Sequence, residues 1–252
     1  MILYKSPAEI ESLDRANALV VKILDALEDM VAPGVSTWEL DRASEEMARK
    51  AGARPAFKGY RGFPGSLCAS INEEVIHGIP SKKRALKDGD IVSLDFGVVL
   101  DGYYGDSART VAVGEVPEET RRLMLVTREA LDLGLAQARP GKRLSDIGHA
   151  VQSHVERSGF SVVREFVGHG IGSSLHEDPQ VPNFGAPGKG KKLMPGMVLA
   201  IEPMINAGKC GVKMDADGWT ARTEDGSLSA HFEYSVAVVP TGARVLGTDR
   251  TI

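Results

Sequence analysis

Two apolar stretches in this 252-residue chain each end on a carboxylate: Ile91-Val92-Ser93-Leu94 on Asp95, and Val198-Leu199-Ala200-Ile201 on Glu202. A carboxylate at the end of a buried strand is costly unless cations or hydrogen bonds compensate it. Two more acids follow downstream. Asp106 precedes Ala108-Arg109-Thr110-Val111-Ala112-Val113, and Glu233 precedes Tyr234-Ser235-Val236-Ala237-Val238. Four carboxylates converging on one centre repel each other strongly, and two divalent cations would neutralise them. A carboxylate-rich, histidine-poor set suits Mn²⁺, Fe²⁺ or Co²⁺ better than a structural zinc. Two such ions about 3.5–4 Å apart can share one hydroxide and polarise a carbonyl, the arrangement of metal-assisted hydrolysis. Histidines should stand nearby, and His77, His169 and His176 lie in Gly- or Pro-flanked loops. With four carboxylates already placed, His169 and His176 become candidates for the same centre. His149 and His154 are five apart, hence on different faces of a helix, and read as ordinary helical positions.

An internal repeat would bring the four acids together. Ser6-Pro7-Ala8-Glu9 is a capping box with Pro at the first helical position, and the spacing of Ile10, Leu13, Val20, Leu24, Leu27 and Val31 predicts a long amphipathic helix to about Pro33-Gly34. Ser36-Thr37-Trp38-Glu39 caps a second helix that should stop near Gly52. At an offset of 107, Pro33-Gly34 lands on Pro140-Gly141, Gly52 on Gly159, Leu86 on Leu193, Gly89 on Gly196 and Asp95 on Glu202. Each copy reads as helix, Pro-Gly turn, helix, loop and buried strand, so the expectation is one domain over 1–252 made of pseudo-symmetric halves, about 1–115 and 116–252. Asp106 and Glu233 differ by 127 instead, so the second half carries about 20 extra residues. Gly208, Gly211, Asp217-Gly218 and Asp225-Gly226 mark them as an inserted hairpin.

Composition narrows the class. Thirty basic against 34 acidic side chains give a net charge of −4, which leaves no global positive field to gather nucleic acid. No apolar run approaches the roughly 20 residues of a membrane span, and the chain enters its first helix too early for a signal peptide. Cys68 and Cys210 cannot build a disulfide framework. The expectation is a soluble, cytoplasmic protein and a monomer.

At these residues the sequence resembles the type 1 methionine aminopeptidases over nearly its whole length. The motifs are Ser70-Ile71-Asn72-Glu73 leading to His77-Gly78-Ile79-Pro80, Leu94-Asp95-Phe96-Gly97, Gly105-Asp106-Ser107-Ala108-Arg109-Thr110, Gly168-His169-Gly170-Ile171-Gly172 with His176-Glu177-Asp178-Pro179, Ile201-Glu202-Pro203-Met204, and Ser227-Leu228-Ser229-Ala230 with Glu233. The resemblance implies an α+β pita-bread fold, a central antiparallel sheet in two pseudo-symmetric halves covered by helices. It implies two divalent ions drawn from Co, Mn, Fe or Zn: Asp95 chelates one, His169 and Glu202 hold the other, and Asp106 and Glu233 bridge them. A bridging water or hydroxide would attack the scissile carbonyl, with Glu202 as general base, His176 facing the carbonyl or tetrahedral intermediate, and His77 near the leaving nitrogen. The methionine pocket would match Tyr60, Cys68, His77, His176 and Trp219, with Phe57, Phe63 and Leu175 completing the wall. Those last three depart from the family pattern, as do His231 and Tyr234 beside the last glutamate. Asn72 and Ser229 are similar to positions that line a site for Na⁺ or K⁺.

The implied activity is removal of the N-terminal methionine from peptides and nascent proteins with a small second residue. A proline-specific pita-bread peptidase generally carries a further N-terminal domain, and a non-catalytic pita-bread binding protein would lack ligands. Neither departure is visible here; nor is a long helical insertion or a zinc-binding extension, so the short bacterial form is expected. Asp95-Phe96-Gly97 imitates a kinase motif without its companion motifs. Gly185–Lys192 imitates a P-loop, but Lys192 stands where Ser or Thr should hold Mg²⁺. Lys82-Lys83-Arg84 and Lys189-Gly190-Lys191-Lys192 form basic loops at the 107 offset, suited either to solvent or to ribosomal RNA phosphates.

Overall fold

A computed structural model describes all 252 residues. The first half runs α1 (Pro7–Met30), α2 (Thr37–Lys50), β1 (Arg54–Pro55), β2 (Leu67–Ile71), β3 (Glu74–Ile76), β4 (Ile91–Leu100) and β5 (Tyr103–Ala112). The second runs α3 (Glu118–Leu135), α4 (Leu144–Arg157), β6 (Ser161–Val162), β7 (Gly168–Gly170), β8 (Glu177–Val181), β9 (Val198–Ile201) and β10 (Met204–Asn206). It ends with β11 (Val212–Met214), β12 (Ala221–Thr223), β13 (Ser229–His231), β14 (Glu233–Val239) and β15 (Gly242–Val245).

The predicted capping boxes at Ser6/Glu9 and Ser36/Glu39 are both formed, which sets the starts of α1 and α2. The offset of 107 recurs in the backbone. Helix α2 maps residue for residue onto α4, and the bridge Ser36↔Ala85 maps onto Arg143↔Lys192. The hydrogen bonds Leu86 N–H to Val35 O and Leu193 N–H to Lys142 O, at 2.8 and 2.9 Å, are related in the same way. One nine-stranded antiparallel sheet follows the order β1-β4-β5-β14-β9-β7-β8, with β2 on β4 and β15 on β14. Four helices cover it, the pita-bread arrangement. The expected hairpin is β11–β12, which pairs Val212↔Thr223 and Met214↔Ala221 and docks on β3.

The halves meet at β5 and β14, which pair over just two positions, Ala108↔Glu233 and Ser107↔Tyr234. Hydroxyls extend this short seam. Ser107 Oγ donates to Glu233 O at 2.6 Å, Ser235 Oγ to Asp106 O at 3.2 Å, and Thr110 Oγ1 to His231 O at 2.9 Å. On either side lie separate apolar cores, one around Leu24, Leu40, Leu94 and Phe96, the other around Leu131, Ile147, Leu199 and Val236. The chain start ties the halves again: Lys5 N–H donates to Gly196 O at 2.7 Å, and the buried Lys5 ammonium pairs with Glu177.

Helix α1 presses on β5 where Gly105 removes a side chain. The buried Asn17 Oδ1 accepts the Asp106 N–H at 3.2 Å, while its Nδ2 donates to Leu13 O at 2.9 Å. A Cβ at Gly105 would stand 2.6 Å from the Ala16 carbonyl carbon. Gly105→Ala is expected to cost about 1–3 kcal/mol, the range for overpacking. Urea unfolding checks this through a lowered midpoint at unchanged slope; a wild-type midpoint would show that α1 is free to shift.

Candidate metal centre and substrate cavity

Strand alternation aims the acids. Asp95 sits mid-β4, opposite Cys68 on β2 and Ala108 on β5; Asp106 lies two residues before Ala108, and Glu233 opens β14 opposite Ala108. Glu202 follows β9 directly, and its carbonyl accepts Asn183 Nδ2 at 3.0 Å. His169 comes from β7, between two glycines. A side chain at Gly168 would strike the Ala200 carbonyl, and one at Gly170 the Asp178 carbonyl, so the flanking glycines let β7 press against β9 and β8.

Ligating atoms of Asp106, His169 and Glu233 all lie within 4.8 Å of one another. His169 Nδ1 is 2.9 Å from the Gly170 carbonyl. A carbonyl only accepts, so Nδ1 carries the proton and the Nε2 lone pair faces the acids. Nε2 stands 3.5 Å from Glu202 Oε1 and 4.0 Å from Asp106 Oδ2. Asp95 Oδ1, Asp106 Oδ1 and Glu233 Oε1 are buried without a hydrogen-bond partner. Orphaned carboxylate oxygens beside an imidazole lone pair fit divalent cations of the Mn²⁺, Fe²⁺, Co²⁺ or Zn²⁺ type. The electrostatics agree. Burial pushes Asp95 up to about 7, and burial with neighbouring carboxylates pushes Asp106, Glu202 and Glu233 well above the usual range. Burial and then His176 lower His169 to about 4, keeping it neutral as a ligand must be.

The centre floors a cavity of about 320 Å³. All five candidate ligands line it, together with Tyr60, Cys68, His77, His176 and Trp219, and with Phe57, Phe63 and Leu175. Tyr60 OH and His176 Nδ1 are 2.8 Å apart, and the His176 and His169 ring centroids 4.3 Å apart. Burial, then Arg61, lowers His176. His77 holds φ of 60°, and its ring stands edge-on to Phe166 at 5.8 Å and to Trp219 at 6.3 Å. Burial lowers it to about 4. Cys68 is kept a thiol, because burial and then Asp95 and the other acids raise it. Trp219 arrives on the inserted hairpin, where Asp217 Oδ1 accepts the N–H groups of Trp219 and Thr220 at 2.8 and 2.9 Å.

Sequence reading missed Arg61 and Phe166, which also line the cavity, and Asn183, which holds Glu202. Arg61 sits at φ 49° in the single 3-10 turn Tyr60–Gly62 and Phe166 in an irregular segment, and an aromatic two residues before the Gly-His-Gly run was the available signal for Phe166. His149 is exposed on α4, and His154 meets Glu129 at 3.0 Å, as ordinary helical histidines do. Asp95-Phe96-Gly97 is interior to β4, unlike a kinase loop. Of the first basic loop, Arg84 is engaged by Glu74, and Lys82 lies 4.3 Å over the Trp38 ring. No helix is long and apolar enough to cross a membrane.

An acid-lined centre at the seam of a pita-bread sheet defines a metallohydrolase class, and residues 11–240 match metallopeptidase family M24. The methionine aminopeptidase of Clostridium acetobutylicum is 52% identical over 246 residues, covering 98% of each chain. Methionine aminopeptidase 1 of Bacillus subtilis is also 52% identical, covering 98% of this chain and 99% of its own. The crystal structure of the methionine aminopeptidase from Thermotoga maritima has a TM-score of 0.97 at 46% identity, over 99% of this chain and all of that one. The prolidase from Pyrococcus horikoshii OT3 shares the fold, at a TM-score of 0.79 and 22% identity, and this chain covers 65% of it. The chain belongs to metallopeptidase family M24 and, within it, to the methionine aminopeptidases.

Metal uptake should release protons. Burial and neighbouring carboxylates make Asp106, Glu202 and Glu233 hold protons more tightly than ordinary carboxylates do, and each must be ionised to ligate. Calorimetric titration with Mn²⁺ at pH 7 should therefore give an enthalpy that depends on buffer ionisation with the sign of proton release. A hundredfold excess of metal over Kd adds about 2.7 kcal/mol, which at about 2–4 °C per kcal/mol raises Tm by about 5–10 °C over the EDTA-treated protein. A Tm indifferent to both EDTA and metal would exclude this cluster as a metal site.

Proposed function

We propose that this chain hydrolyses the bond after an N-terminal methionine, releasing methionine from peptides and nascent proteins whose second residue is small. The observation that carries the reading is five ligating groups converging beside an apolar, aromatic-walled cavity of about 320 Å³. Asp95 would hold one ion, His169 and Glu202 the other, with Asp106 and Glu233 shared between them. The divalent ions, when bound, supply Lewis-acid polarisation of the carbonyl and a water made acidic enough to attack at neutral pH. The donor set suits Mn²⁺, Fe²⁺, Co²⁺ or Zn²⁺.

The chain's own groups account for the proton movements. Glu202 takes the proton of the attacking water, since its environment already favours the protonated form. His176 is neutral and meets Tyr60 OH at Nδ1. With Tyr60 donating, Nε2 carries the hydrogen and donates to the oxygen that gains charge. His77, also neutral, stands beside the leaving nitrogen. Tyr60, Cys68, His77, His176 and Trp219 contact the substrate, and the apolar wall with its thiol admits an unbranched thioether side chain. Asn72 and Ser229, where Ser229 N–H donates to Asn72 O at 2.9 Å, border the proposed Na⁺ or K⁺ site. The protein would act as a cytoplasmic monomer.

Metal analysis beside steady-state kinetics tests the roles. Asp106→Ala and Glu233→Ala should lose metal and turnover together, and Glu202→Gln should lose turnover with part of the metal. His176→Ala should keep its metal while kcat falls about 10²–10³-fold, the loss typical of one oxyanion donor. His176→Ala without metal, or Asp106→Ala with both ions and normal turnover, would refute the assignment. Substrate choice is tested on Met-Ala, Met-Gly and Met-Ser peptides, and comparable turnover on Xaa-Pro peptides lacking methionine would favour a proline-specific peptidase.

Lys83, Lys189, Lys191 and Lys192 are exposed and form no ion pair within 4 Å, which favours transient docking on ribosomal RNA during synthesis. Charge reversal of these four lysines should weaken salt-dependent co-sedimentation with ribosomes and spare peptide turnover. Unchanged co-sedimentation would exclude the contact.

A further inference from the structure

His231 closes β13 behind the cavity. It is 1% exposed, and neither ring nitrogen has a hydrogen-bond partner. Its backbone is clamped, because its N–H donates to Thr110 Oγ1 at 2.9 Å and its carbonyl accepts from the same hydroxyl at 2.9 Å. A buried ring with two unpaired nitrogens is costly in a well-formed core and calls for a cause. The acidic group beside it is Glu202, whose Oε2 lies 3.8 Å from His231 Nε2. The other oxygen of that carboxylate, Oε1, faces His169 Nε2 at 3.5 Å. Glu202 therefore stands between two imidazoles, with its own carbonyl pinned by Asn183.

The two imidazoles are not equivalent. His169 presents a lone pair, because its Nδ1 hydrogen is committed to Gly170 O. His231 has no such commitment, and an ionised carboxylate can use only a donor. The separation exceeds hydrogen-bond length by about half an ångström, a gap that contacts of this kind close when a site is loaded. His231 does not line the cavity, so it cannot touch substrate and must act through its neighbour.

We propose that His231 is a positioning residue for Glu202: its Nε2–H donates to Oε2 and fixes the carboxylate's rotation, so that Oε1 is held on the His169 side. The proposal rests on the reading of Glu202 as ligand and proton acceptor. A carboxylate with both tasks must present one chosen oxygen, and a donor on the other oxygen enforces that choice.

The test titrates metal-free protein with Mn²⁺ in a calorimeter and measures kinetics on a Met-Ala peptide for His231→Met, His231→Gln and Glu202→Gln. His231→Met keeps bulk but has no donor. It should bind Mn²⁺ about 10–100-fold more weakly, the range for losing an outer partner of a ligand. Its kcat should fall while KM stays near wild type, since the cavity wall is intact. Its metal-free Tm should not fall, because two unpaired nitrogens leave the core. His231→Gln restores an N–H at similar reach and should recover most of the affinity and kcat. Wild-type affinity and kcat in His231→Met overturn the proposal, as does a His231→Gln protein as defective as His231→Met. Should His231→Met fail to fold, His231→Asn, whose donor is too short to reach Oε2, takes its place, and Asn behaving like Gln overturns the proposal. Glu202→Gln separates the two ideas. If it keeps full metal and turnover, the reading of Glu202 fails; if it loses them while His231→Met changes nothing, the positioning role alone fails.

Discussion

Mutual repulsion among Asp95, Asp106, Glu202 and Glu233 is the constraint on which the rest of this molecule turns. Two unit charges 4 Å apart repel by about 4 kcal/mol even at an effective dielectric of 20, against about 1 kcal/mol gained by an ordinary hydrogen bond. None of the four acids is paired with a lysine or arginine; the ring nitrogens of His169 and His231 are the basic groups that approach them. A cation is available on the same strand, yet β5 turns it away. Asp106 and Arg109 are three residues apart, so they point to opposite faces, and Arg109 pairs with Asp25 and Glu28 on α1 at 2.7 and 2.9 Å. The arginine of β5 is thus committed to the other face, and the fold leaves the acids to cations from solution.

Holding such a cluster takes a frame stiffer than a two-position ladder would give. The hydroxyls of Ser107, Ser235 and Thr110 cross the seam to main-chain oxygens, and Asn17 takes the Asp106 N–H from the helix side. These bonds use the backbone groups that pairing leaves open, so the side chains between β5 and β14 stay free for the centre. Each half has a core of its own, and a further apolar cluster joins them, grouping Leu13, Phe63 and Val99 with Ile171, Val198 and Leu246.

The acids were legible in the sequence because strands repeat with fixed geometry. A mostly apolar run of four residues closing on a carboxylate, recurring at an offset of 107, specifies both position and direction. The capping boxes and the Asp-Gly hairpin signals were equally local. Arg61, Phe166 and Asn183 were not legible, because single turns and irregular segments carry no period that links them to a distant strand. Long-range pairing is invisible for the same reason. Arg84 reads in the sequence as a basic loop residue, whereas in the fold Glu74, ten positions earlier, engages it. The family resemblance supplied roles, but it passed over His231, which sits where the chain departs from the commoner residue.

Chemistry and selectivity draw on different parts of the repeat. Four of the five candidate ligands come from corresponding places in the two halves. Asp95 answers Glu202 across the offset, and Asp106 within β5 and Glu233 at the start of β14 lie at the seam, while His169 falls opposite Gly62 and has no counterpart. The cavity wall obeys no such match. Phe57, Tyr60 and Phe63 belong to the segment between β1 and β2, while Trp219 stands on a hairpin inserted only in the second half, which Arg222 fastens to Glu74 at 3.0 Å. Phe63 and Trp219 meet edge to face at 5.2 Å, so the pocket closes between an element of one half and an insertion of the other. A symmetric frame can hold two ions without favouring one direction of approach. The asymmetric wall breaks that symmetry, and by filling one side of the centre with apolar side chains it makes the chain end of a substrate, and not its middle, the part that fits.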